Sequence, residues 1–108
     1  MNFAITTELD EYLSQLGLVH LHIREYRITH SYLHLFVAGE HFHDVKCNIY
    51  LTDCTYLCGP PRGGPWRLRA SELVEDGDRI IEIAEDTRRF FVRGLRVHVV
   101  DKDEPQPS

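Results

Sequence analysis

Seven consecutive residues, Gly59-Pro60-Pro61-Arg62-Gly63-Gly64-Pro65, contain three prolines and three glycines, and they constrain the chain more than any other stretch. Proline removes a backbone donor and fixes φ, and glycine adds positive-φ freedom, so neither a helix nor a central strand is expected to pass through. Residues 53–66 are therefore expected to form a surface connection, a crossover between two β-hairpins. Tyr56 and Trp66 stand at its ends, rings that each bury roughly 150–250 Å² when packed, and they are expected to pin it. The same loop would present Arg62, followed by Arg67 and Arg69, to an anionic group or a partner.

Before this stretch the pattern changes once. Leu9, Tyr12, Leu13 and Leu16 recur at helical spacing, with Thr6 or Thr7 as the expected cap, Glu8, Asp10 and Glu11 near the positive end, and Gly17 closing the segment. A helix of about three turns is marginal alone, so it is expected to lie on the sheet that follows. From Val19 the period is two: Val19, Leu21 and Ile23 face one way, and His20, His22 and Arg24 the other. Residues 29–31 read as a turn, 32–37 as a second strand, and Val45, Cys47, Ile49 and Leu51 as the buried face of a third.

After it, residues 66–70 read as a short strand. Asp76-Gly77 is a turn signal before a strand over 79–84. In the last strand the apolar phase moves from Phe90 and Val92 to Leu95, Val97 and Val99, and a β-bulge at Gly94 is the expected cause. The acidic run 72–86 reads as a turn and a strand with a wet face, and residues 101–108 as a polar, disordered tail. These elements predict an α+β fold, mainly β, in which one N-terminal helix packs on an antiparallel sheet of five or six strands rolled into a small barrel or sandwich. One domain over residues 1–100 is expected, since 108 residues suffice for a core but not for two.

Composition limits function. A formal net charge of −5 argues against a general nucleic-acid binder, which needs a basic face. No apolar run approaches the ~18 residues of a membrane span, no leader is visible at the start, and three cysteines are an odd number, so a cytoplasmic location with free thiols is expected. Ten arginines against two lysines fit the codon bias of a GC-rich genome.

Seven histidines offer a metal reading. His20 and His22 share one strand face, and a three-residue turn pairing Ile28 with Tyr32 would set His20 opposite Glu40. The three would form a two-histidine, one-carboxylate set suited to zinc or iron. His34, facing Tyr26 in that register, would lie about 13 Å from His22, out of reach. Cys54 and Cys58 lack a second cysteine pair for a zinc site and read as structural thiols beside Tyr56. No nucleophile elbow or P-loop occurs, and no catalytic residue is assigned. The leading expectation is a non-enzymatic module that binds a protein partner or itself as a homodimer, with the metal set and the Arg62 anion loop as alternatives.

Overall fold

Alternation at residues 45–51 is realised directly: Cys47, Ile49 and Leu51 are completely buried, and Lys46, Asn48 and Tyr50 are half-buried on the other face. The computed structural model describes residues 5–27, 31–41 and 43–102. Its elements are α1 (Thr6–Gln15), β1 (Leu18–Arg27), β2 (Tyr32–Ala38), β3 (Val45–Cys58), β4 (Arg62–Glu75), β5 (Asp78–Glu85) and β6 (Phe91–Asp101). All ladders are antiparallel and close into a barrel in the order β1-β2-β3-β6-β5-β4. The fold is α+β, mainly β, with one N-terminal helix.

Two meanders, β1-β2-β3 and β4-β5-β6, make the barrel, and two strands separate β3 from β4 in either direction around it. The chain crosses between them in residues 59–61, where Pro61 O accepts from Ile23 N at 2.8 Å. The connection is thus far shorter than the expected 53–66. β3 continues to Cys58, and Gly63, Gly64 and Pro65 lie within β4. Pro65 is tolerated there because the β1–β4 register slips at this point, between Val19/Trp66 and Leu21/Gly63. A bulge leaves no ladder bond for the missing N–H to make.

The expected bulge at Gly94 is not what moves the apolar phase. Gly94 pairs regularly with Cys54 on one side and Ile81 on the other. Instead both strands change phase together: between the pairs Leu51↔Val97 and Cys54↔Gly94 each advances by three residues, Asp53 takes φ 55°, and Arg96, Thr52 and Asp53 turn outward. Phe90 and Val99 consequently share one core. The recorded irregularity lies in β3, between Cys54 and Tyr56.

Asp76 (φ 52°) and Gly77 (φ 82°) form the expected two-residue turn between β4 and β5, both with the positive φ of a type I′ hairpin. The wet face expected for β5 is mistaken, because Glu82 and Glu85 are buried. Asp101, assigned to the tail, is the last residue of β6; residues 103–108 lie outside the described residues.

β5 and β6 pair only up to Ile81↔Gly94, while β6 runs on beside β3 to Asp101, so the barrel parts between the β4–β5 arm and the end of β6. Helix α1 covers this opening. Leu9 and Leu13 are completely buried, each worth about 1.5–3 kcal/mol, and Tyr12 and Leu16 pack beside them. On β4, Asp10 accepts two bonds from Arg69 (2.9 and 2.8 Å) and one from Ala70 N (2.8 Å). The cap differs from expectation: Ile5 is the extended N-cap, and Thr6, already helical, donates Oγ1 to Glu72 at 2.8 Å. Gly17 (φ 70°) ends the helix as expected.

Candidate binding face and pocket

The histidines and arginines singled out by sequence are not gathered as expected. Arg27, not Ile28, pairs with Tyr32, and a further shift between Ile23 and Glu25 sets His20 opposite Ala38 and His22 opposite Phe36. Glu40 therefore lies beyond His20 instead of across from it. His22 stands opposite Arg62 on its other side, and burial, then Arg62 and Arg24, lower its pKa below the ordinary histidine value. Two guanidiniums beside a neutral imidazole disfavour a divalent cation. Among the described residues no three His, Cys, Asp or Glu side chains converge as a metal set.

The loop residues part as well. Trp66 is inside the barrel, stacked on Phe90 at 6.0 Å between centroids. Tyr56 is outside and 50% exposed, stacked on Phe91 at 5.4 Å, with Arg93 over its ring. Arg93 and Arg88 both bond the buried Glu82 carboxylate, at 2.8 and 2.6 Å, and Arg88 is the chief reason that its pKa is lowered against the effect of burial. Arg69 is committed to Asp10, while Arg62 stands opposite His22 and Arg67 opposite Leu18 on β1. Cys54 is in the core and Cys58 is exposed.

What the register does assemble is an outer face. Glu25, His34, Tyr50 and His98 are successive ladder partners across β1, β2, β3 and β6. The His34 and Tyr50 rings stack at 4.4 Å and 18°; Tyr32 and His98 tilt against Tyr50 at 6.3 and 6.4 Å. His34 Nε2 donates to Asn48 Oδ1 at 2.7 Å, which fixes the imidazole plane. All six residues are half-buried. In the register expected from sequence, His34 lies too far from His22 to join it at a site. The available signal was that His34 and Tyr50 both occupy the outward phase of adjacent strands.

A second assembly lies at the β1–β4 seam. The bulge holding Gly64 and Pro65 opens a pocket of about 540 Å³ lined by Leu18, His20, Gly39, Glu40, Pro65 and Arg67. His20 Nδ1 donates to Gly39 O at 2.7 Å, so that nitrogen carries a proton and the ring is oriented. Two members of the expected metal set, His20 and Glu40, thus share a cavity with one of the expected anion loop, Arg67, without His22 or Arg62.

Compared with protein-family models, curated proteins and solved structures, the chain matches none. Among the described residues no helix is long and apolar enough to cross a membrane.

Proposed function

We propose that the protein is a non-enzymatic module that binds another protein through the outer face of β2, β3 and β6. The row His34–Tyr50–His98, flanked by Tyr32, carries this reading. Rings with two side-chain torsions offer large contact area at little entropic cost, and tyrosine is enriched where interfaces concentrate their binding energy. The barrel interior supports the same reading, since side chains from all six strands fill it and a ligand must be met outside. A cytoplasmic setting fits Cys47 and Cys54 lying in the core as free thiols.

The test is a bait comparison. Wild-type protein and a Tyr32→Ser, Tyr50→Ser variant are cross-linked in extract, and the partner recovered by the wild type is purified and titrated against both. Affinity should fall at least about tenfold in the variant, with its melting temperature retained. Equal affinity would refute this face as the interface. Concentration-dependent sedimentation of the pure protein, abolished by the same variant, would make the partner a second copy.

A further inference from the structure

We propose that the pocket at the β1–β4 seam binds a small zwitterion of the α-amino acid type, its carboxylate on Arg67 and its ammonium on Glu40. The observation behind this is a pair of opposite charges kept apart. On this barrel Arg69 is neutralised by Asp10, Arg79 by Glu72, Arg88 by Glu82, Arg89 by Glu85, and Arg93 by Glu75 and Glu82, whereas Arg24, Arg62, Arg67 and Arg96 make no ion pair among the described residues. Arg67 and Glu40 line one cavity, yet among the described residues neither makes an ion pair, with the other or with any third group. Both are exposed to the cavity and to solvent. A guanidinium presents planar paired donors that match a carboxylate, and a carboxylate accepts from an ammonium.

The rest of the cavity suits the same ligand. Leu18 is 53% exposed, and with Pro65 it supplies an apolar wall for a ligand side chain. The walls come from three places in the chain and are fixed. Gly64 approaches β1 so closely that a Cβ there would lie 2.7 Å from Val19 O and 2.8 Å from His20 Cα. Gly39 is held by its N–H to Asp44 O at 2.8 Å, and its carbonyl holds His20. About 540 Å³ lies within the usual range for small-molecule sites.

Calorimetric titration of the full chain with L-leucine tests this, alongside leucinamide, which lacks the carboxylate, and N-acetyl-leucine, which lacks the ammonium. Leucine should bind saturably, and each derivative at least about tenfold more weakly. Arg67→Met and Glu40→Gln should each weaken leucine by about the same factor, while Arg96→Met, on the outer face, should leave it unchanged. Circular dichroism checks that each variant is folded, and Arg67→Lys, keeping the charge without the planar fork, should recover part of the affinity. Tight binding of N-acetyl-leucine with no loss in Glu40→Gln would overturn the zwitterion in favour of a bare carboxylate or a peptide C-terminus. No saturation by any of the standard amino acids below about 10 mM, or binding indifferent to Arg67, would overturn the site altogether.

Discussion

The Tyr12 hydroxyl donates to Asp101 Oδ2 at 2.6 Å, joining the only described helix to the last residue of the last strand, 89 residues away. Burial and then this bond raise the Tyr12 pKa, so the phenol remains a donor. Tyr12→Phe should cost about 1.5–3 kcal/mol, the usual worth of a hydrogen bond to a charged group, and Asp101→Asn, which keeps an acceptor, should cost less. Urea unfolding reads both. A loss under about 0.5 kcal/mol in Tyr12→Phe would mean that α1 is held by Leu9, Leu13 and Asp10 alone.

Thiol accessibility should follow the same architecture. Cys58 is exposed, Cys54 is in the core with its pKa raised by burial, and burial pushes the Cys47 thiol up to about 12, against its hydrogen bond with Tyr12. Since the thiolate reacts, native protein should be modified in the order Cys58, Cys54, Cys47, with Cys47 limited by unfolding. Mass spectrometry of timed samples gives the order, and early modification of Cys47 would contradict the seat of α1 over β3.

Two glycines with positive φ should respond differently to alanine. At Gly64 (φ 139°) a Cβ meets the backbone of Val19 and His20, which cannot move without opening the β1–β4 seam. At Gly77 (φ 82°) nothing lies within 4 Å. Gly77→Ala should cost only the conformational strain, about 1 kcal/mol, and Gly64→Ala more than about 2 kcal/mol. Equal midpoints in urea would argue against the bulge geometry that opens the pocket.

Local signals were legible and compensating ones were not. The spacing of Leu9 and Leu13, the alternation through Cys47, Ile49 and Leu51, and the Asp76–Gly77 turn each depend on neighbours in sequence, and each is realised. The stretch 62–65 misleads because proline is excluded from a strand only where a ladder bond is required, and a bulge removes that requirement. The phase change in β6 reads as a local insertion but is matched in β3, from Leu51 to Cys54, which no single strand reveals. Glu82 looks solvated because its partners, Arg88 and Arg93, lie 6 and 11 residues onward. The row Tyr32, His34, Tyr50, His98 and the pocket of His20, Glu40 and Arg67 needed the register of several strands, and an unseen irregularity near Ile23 displaced every pairing beyond it.

Acid sensitivity provides the sharpest check on a buried charge. Glu85 has a side chain 2% exposed, where burial pushes its pKa up, but Thr87 Oγ1 (2.5 Å), the Arg89 and Thr87 backbone N–H groups and the Arg89 guanidinium all donate to it. The bonds outweigh burial and leave the pKa at about 2, against an ordinary 4.5. A carboxylate whose folded pKa is depressed stabilises the fold fully above its unfolded value and loses that contribution as pH falls toward the folded one. The window is therefore 4.5 down to about 2, and the contribution above it is roughly 3 kcal/mol. Glu82, lowered chiefly by Arg88, acts in the same direction. His22 acts at higher pH: its lowered pKa withdraws stability as pH drops below the unfolded 6.5. Glu85→Gln should thus be markedly less stable than wild type at neutral pH, and the difference should shrink steadily between about pH 4.5 and 2. Urea midpoints of the two proteins at several pH values measure it. Curves that stay parallel through that window would show that Glu85 holds the 86–90 turn by shape alone and that its charge contributes nothing.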